Sequence, residues 1–316
     1  AIGHKELVDR VEQFNRQLAN NDIEYTALSG RLYNLLVAPA INQLQGKSRI
    51  VIVPDDILWE APFQALRSPQ GRFLIQNAAI SYAPSLTVLR EIMKSSRSKP
   101  ASALLAMGNP KLTGQTMSRA KNVLMRTSLE SLPEAERLVR GLAQLYGANE
   151  SKVYVGADAR EEVLKAEADK YRVLQLASHG VINNANPMYS HIVLAQSGDS
   201  KEDGLLEAWE IMQMDLKADL AVLSACETAR GRIGAGEGVI GLSWALFVAG
   251  CPTTVVSQWK VESSSTTELM MAFHRNLKTG ASKSESLRQA AMKLMADKRY
   301  NHPFYWAGFI IVGDGR

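Results

Sequence analysis

The chain has 316 residues, 46% of them hydrophobic and 22% charged, with a net charge of +4. This is the composition of an ordinary globular protein, with enough chain for one large core or two domains. Lysines and arginines are scattered, no apolar run reaches membrane-spanning length, and two cysteines make no disulfide framework, so nucleic-acid binding, membrane insertion and a stapled secreted scaffold are all disfavoured. A reducing, cytoplasmic setting is expected. The opening Ala1-Ile2-Gly3 in place of Met points to a processed or excised piece.

In chain order, residues 1 to about 45 read as two helices. Leu7, Val8, Val11, Phe14 and Leu18 recur at helical spacing, as do Leu28, Leu32, Leu35, Leu36 and Ile41. Arg49 to Val53 reads as a buried strand stopped by Pro54. Phe73 to Ala83 reads as extended chain before a helix from Ser85 to Met93. Ser95 to Pro100 has linker composition, dividing the chain into 1–98 and 99–316. Beyond it, Ala103 to Met107 is a strand. Ser131-x-x-Glu134 with Pro133 is a capping-box start for a helix to Tyr146. Lys152 to Val155 is a strand, and Asp158 caps the helix that follows. Strands are then expected at Tyr171 to Ala177, Ser190 to Ala195, Leu220 to Cys226 and Thr253 to Trp259. Helices are expected at Gly238 to Val248, 263–278 and 283–297, before a final extended segment from Phe304 to Val312. Strands alternating with helices of this length predict an α/β fold with a mostly parallel sheet covered on both faces.

Leu220-Ala-Val-Leu-Ser-Ala-Cys226 is an apolar run of the kind found in central parallel strands. A similar run, from Tyr171 to Ala177, ends in Ser178-His179-Gly180. Two strand ends thus offer an imidazole and a thiol, 47 residues apart, and open α/β sheets gather their chemistry at the carboxyl ends of strands. A histidine beside a cysteine lowers the thiol pKa or takes its proton, so the pair is a candidate nucleophile system. The amides of Gly180 and Cys226 could form an oxyanion hole. The spacing alone is equally compatible with a buried structural thiol and an unrelated loop imidazole.

Cys251 begins a strand, on the wrong edge for this chemistry, and reads as packing. His4, His191, His274 and His302 make no metal-ligand spacing, so neither metal nor cofactor is expected. Gly236-Glu-Gly238-Val-Ile-Gly241 matches a dinucleotide fingerprint but lies ten residues beyond the Cys226 strand, too far for that fold. Gly241-Leu-Ser243-Trp-Ala245 half-matches a nucleophile elbow, but within a helical pattern.

The ordered pieces Val51-Ile-Val-Pro-Asp55, Gly108-Asn109-Pro110, Leu176-Ala-Ser-His-Gly180, Leu223-Ser-Ala-Cys-Glu-Thr228, Val256-Ser-Gln-Trp259 and His302-Pro-Phe-Tyr-Trp-Ala307 resemble the CHAT family of caspase-like cysteine peptidases, relatives of caspases and separases. The resemblance covers nearly the whole chain. It implies an α/β/α sandwich preceded by a degenerate, non-catalytic caspase-like half over 1–98. It also implies a catalytic histidine at His179, a nucleophile at Cys226, protein substrates, and a regulatory partner or tetratricopeptide-repeat region. Substrate would lie extended beside Ser257, Gln258 and Trp259, with Glu262 nearby. Many relatives carry Val-Asp-Asp where this chain has Val261-Glu262-Ser263, which leaves cleavage preference open. An acid near the cleft, Glu227, Asp203 or Glu262, would favour a basic residue before the scissile bond. Arg230 and Arg232 make the loop to Gly238 a self-processing candidate. The alternative reading is a catalytically silent scaffold.

Overall fold

A computed structural model describes residues 2–94, 100–114, 116–117, 129–183, 185–198, 200–224 and 237–316, with only the backbone of 237–240. Eight strands form the main sheet: β1 (Arg49–Ile52), β2 (Ala79–Tyr82), β3 (Ser102–Pro110), β4 (Ser151–Gly156), β5 (Tyr171–Ala177), β9 (Leu220–Leu223), β10 (Thr253–Ser257) and β11 (Phe309–Gly313). Their spatial order is β1-β2-β11-β10-β9-β5-β3-β4. Each neighbouring pair is parallel except β10 with β11. The sheet therefore consists of two parallel blocks running in opposite directions. Strands β6 (Gly180–Val181), β7 (His191–Val193) and β8 (Leu205–Glu207) form a small antiparallel sheet just past the end of β5.

The register shows how the two faces are covered. Gln175 pairs with Val222, and Val222 with Val255, so these three point to one face. Gln175 meets His274 of helix Ser263–Lys278, which packs beside helix Pro133–Tyr146. Leu174, Ala221 and Thr254 point the other way. There Thr254 Oγ1 donates to Ser243 of helix Glu237–Ala249, at 3.0 Å. This is the expected α/β/α sandwich. The central strands β9 and β10 are buried throughout, which is why they read as unbroken apolar runs.

Several local expectations give way. Arg49–Ile52 is an edge strand with Val51 43% exposed, not a buried one, because sheet order places β1 outermost. The extended reading of 73–83 is interrupted by a helical turn, Leu74–Asn77, before β2. The Ser131/Glu134 capping box does not form. Asn109 reaches across instead, its Oδ1 accepting from Leu132 N at 2.7 Å and Ser131 Oγ at 3.2 Å. Asp158 likewise caps nothing, since helix Glu161–Glu167 starts after Arg160 with no side-chain cap. Strand β10 ends at Ser257, short of Trp259. The linker at 95–99 lies outside the described residues. Strands from both sides of it share one sheet, through the pairing of Tyr82 with Val312.

Candidate active site

The carboxyl end of β5 turns into the small sheet through Ser178 and His179. Ser178 Oγ donates to the Val193 carbonyl, and Val193 N donates to His179 O at 2.8 Å. The second bond makes 179 and 193 a hydrogen-bonded pair of the antiparallel ladder. Gly180, opposite Ile192, is then in the alternate position, with its N–H pointing away from β7.

His179 is buried, with 5% of the residue exposed. Its Nε2 lies 2.7 Å from the carbonyl oxygen of Glu130. A carbonyl can only accept, so Nε2 carries the hydrogen and Nδ1 keeps its lone pair. Nδ1 is buried with no hydrogen-bond partner among the described residues. His191 also has one ring nitrogen on a carbonyl and the other buried without a partner among the described residues, so what distinguishes His179 is its place at the exit of β5, beside the exit of β9. Asn109 matters here too, because its bonds to 131 and 132 fix the backbone next to Glu130.

Ser224 closes β9, with its amide donating to Leu176 O at 2.9 Å. This bond sets the exits of β5 and β9 side by side, two residues short of Cys226. Cys226 itself lies outside the described residues, as do Glu227, Arg230, Arg232 and Gly236. Between the two strand exits and the amino ends of helices Pro133–Tyr146 and Ser263–Lys278 lies a cavity of about 190 Å³. Leu138 and Ala177 are among its apolar lining residues, with Ser178, Ser224, Thr266 and Thr267 around them.

The four residues expected beside the substrate lie at the end of β10. Ser257 is buried opposite Phe309. Gln258 is held by its amide to Gly308 O at 2.7 Å and by its side chain to Trp59 O at 2.9 Å. Trp259 is fully buried, its indole N–H donating to Phe304 O at 3.2 Å. Glu262 accepts from Ser264 N and Ser265 N and so caps its helix. These side chains serve the fold, leaving backbone atoms as what this segment can offer a ligand. Asp203 also turns inward, accepting from Leu205 N at 2.9 Å.

The other histidines have local work. His302 accepts from Phe304 N, His4 pairs with Asp56, and His191 bonds the Tyr189 carbonyl. Cys251 is fully buried, its thiol donating to Thr253 O at 3.2 Å. Sequence reasoning did not anticipate the carboxylates Glu161, Glu202 and Glu210, which lie close enough together to hold a metal. The Lys165 ammonium sits among them, at 2.7 Å from Glu161, 2.5 Å from Glu202 and 2.7 Å from Glu210. Burial raises the Glu161 carboxyl to about 7. Nor did it anticipate Glu130, whose contribution is a backbone carbonyl.

Comparison with known proteins agrees with this architecture. The CHAT domain family profile matches residues 26–314. The human protein named Tetratricopeptide repeat protein 28 is 24% identical over 89% of this chain, and its mouse counterpart is equally similar. This chain spans 13% of the length of each. Among solved structures, separase in the Saccharomyces cerevisiae separase–securin complex superposes with a TM-score of 0.51 at 15% identity, covering 83% of this chain and 15% of that one. A chain of the Porphyromonas gingivalis RgpB pro- and mature-domain complex gives 0.52 at 10% identity, covering 99% and 77%. Separase and gingipain are caspase-like cysteine peptidases, and at these identities the likeness is one of fold. With the family profile matched over most of its length, the chain belongs to the CHAT domain family.

Proposed function

We propose that the chain is a cysteine endopeptidase that cleaves protein substrates through His179 and Cys226. The observation that carries this reading is the His179 ring. Its Nε2 is committed to the Glu130 carbonyl, and its Nδ1 is buried without a partner among the described residues, at a strand exit next to the one that leads to Cys226. In the proposed reaction Nδ1 takes the Cys226 proton and the thiolate attacks the substrate carbonyl. The oxyanion is met by the amides of Gly180 and Cys226. As the C–N bond breaks, the imidazolium returns its proton to the leaving amine, forming a thioester. Water then gives a proton to Nδ1 and attacks the thioester; the C–S bond breaks and the thiolate takes the proton back. The Glu130 carbonyl would orient the ring and stabilise its charged form.

Substrate would lie extended along the backbone of Ser257 to Trp259, with Glu262 beyond. Internal strand β10 is paired on both sides, so only its outgoing end is open to strand addition. Residues 1–98 serve as a non-catalytic half. Their strands β1 and β2 run opposite to β5 and β9, so their carboxyl ends emerge at the other edge of the sheet. Control by a partner is part of this reading. One fold relative was crystallised with securin, and the curated relatives carry a tetratricopeptide-repeat name.

The test is labelling by a thiol-reactive peptide ketone. Wild type is expected to be labelled at Cys226, and Cys226→Ala to fold normally, escape labelling and cleave nothing. Labelling that persists in Cys226→Ala and vanishes in Cys251→Ala overturns the assignment. Reading the N-termini of incubated wild-type chain shows whether the Arg230–Gly238 loop is self-processed.

A further inference from the structure

Beneath the cavity at the strand exits runs a buried chain of polar side chains that the proposed reaction does not use. Tyr146 OH lies 3.1 Å from His274 Nδ1, and His274 Nε2 lies 3.0 Å from Gln175 Oε1. Gln175 Nε2 donates to Ser224 Oγ at 2.9 Å. Gln175 and His274 are fully buried. The four residues come from two helices, strand β5 and the exit of β9, so the chain passes from the helical layer into the sheet.

The direction of the chain follows from its members. Gln175 Oε1 can only accept, so His274 Nε2 carries the hydrogen and Nδ1 accepts from the Tyr146 hydroxyl. Burial drives the His274 pKa down to about 3, so the ring stays neutral with one hydrogen. Ser224 Oγ already accepts from Gln175, and among the described residues its own hydrogen has no acceptor. Ser224 lines the cavity and is two residues from Cys226.

Other hydroxyls of the described lining are engaged elsewhere: Ser178 Oγ donates to the Val193 carbonyl and Ser131 Oγ to Asn109 Oδ1 at 3.2 Å. Thr266 Oγ1 donates to Glu262 O at 2.7 Å, and Thr267 Oγ1 to Ser263 O at 3.1 Å. Glu134, the one carboxylate among the described lining residues, pairs with Arg137 at 2.8 Å. Among the described lining residues, the cavity offers a guest apolar surface, the Ser263 hydroxyl, and the Ser224 hydroxyl, which is the one the buried chain orients. This differs from the basic preference that acids near the cleft would give, since Glu262 is consumed as a helix cap.

We propose that Ser224 is a specificity-determining residue, fixed as a hydrogen-bond donor into this cavity by Tyr146, His274 and Gln175. The cavity takes an uncharged substrate side chain that ends in an acceptor, with glutamine as the type. This rests on the peptidase reading for its biological meaning, but its first test does not need activity.

Nitrogen-15 NMR of histidine-labelled protein, assigned with His274→Gln, reads the tautomer directly. An Nε2–H ring is expected. An Nδ1–H ring overturns the proposal, because Gln175 would then donate to His274 and Ser224 would donate to Gln175. The second test compares otherwise identical peptides carrying glutamine or norleucine at the cavity position. Glutamine is expected to be preferred about fivefold to tenfold, the scale of one hydrogen bond. Ser224→Ala and Gln175→Leu should bring that ratio to about one, while Ser224→Thr keeps it. A uniform loss with the ratio preserved means a structural role and overturns the proposal. If neither peptide is cleaved, the peptidase reading is at fault, and calorimetric binding to Cys226→Ala reads the same ratio. Equal binding of the two peptides, or none, overturns the assignment of Ser224.

Discussion

The Glu130 carbonyl holds His179 by Nε2 at 2.7 Å, so the geometry of the proposed base depends on a backbone atom 49 positions earlier in the chain. The expected consequence is a hydrogen on His179 Nε2 facing the Glu130 carbonyl, readable by the same NMR measurement as His274. Replacing the ring by His179→Ala should lower turnover by about 10²–10⁴, the range for a general base. A variant retaining more than a tenth of wild-type turnover would show that the thiolate forms without this imidazole.

Asn109 is the brace of that arrangement. It sits in the left-handed region, with φ of 49°, and its side chain satisfies the first turn of helix Pro133–Tyr146 while donating to Glu136 at 3.1 Å. Asn109→Ala loses a cap worth about 1 kcal/mol and adds left-handed strain of about 1–2 kcal/mol. Asn109→Gly loses the cap but not the backbone freedom, and should fall between the two in urea unfolding. Both variants should raise the pKa of Glu136, whose carboxyl is held low first by Asn109 and then by Arg140. Equal stability of Ala and Gly variants would remove the strain argument.

Gly108, one residue earlier, does something different. A Cβ there would stand 2.8 Å from Ala135 O and 2.9 Å from Val139 Cγ2, so the glycine lets the helix lie directly on β3. Gly108→Ala should cost about 1–3 kcal/mol by overpacking. An unchanged thermal midpoint would show that the helix can shift without penalty.

Two buried groups make opposite contributions to stability against pH. His274 has its folded pKa depressed to about 3. The unfolded chain therefore binds the proton first, and stability drains away at about 1.4 kcal/mol per unit as pH falls below 6.5. Glu161 has its folded pKa raised to about 7. Between about pH 4.5 and 7 the folded state holds more protons, so its contribution declines as pH rises. Denaturant titrations should show the acid-side slope reduced in His274→Gln, and the opposite slope reduced in Glu161→Gln. Identical profiles for wild type and both variants would show that neither ring nor carboxyl is perturbed.

How much of this could be read beforehand differs by element. The apolar runs of β5, β9 and β10 and the helices at 263 and 283 appeared where spacing placed them, because burial on both faces and helical periodicity are local signals. The cap of helix Pro133–Tyr146 was misread because a plausible local partner, Ser131, was outcompeted by Asn109, 23 residues away from the amide it satisfies. The edge position of Arg49–Ile52 depends on sheet order, which no property of those four residues encodes. At the site, His179 announced itself, whereas a carbonyl oxygen has no sequence signature. The chain from Ser224 to Tyr146 joins positions separated by up to 128 residues and was visible only as one odd glutamine.

The antiparallel seam between β10 and β11 has a consequence for how the molecule is made. Strands β1 and β2 join the rest of the sheet through Tyr82 paired with Val312 of β11, a strand that follows all the others in the sheet along the chain. Loop closure of this span is slow and entropically costly. During translation β1 and β2 must wait, their edge towards β11 unpaired, until β11 has followed β10 out of the ribosome. A chain shortened by only its last eight residues would keep β5 and β9, yet lose the seam that unites the sheet.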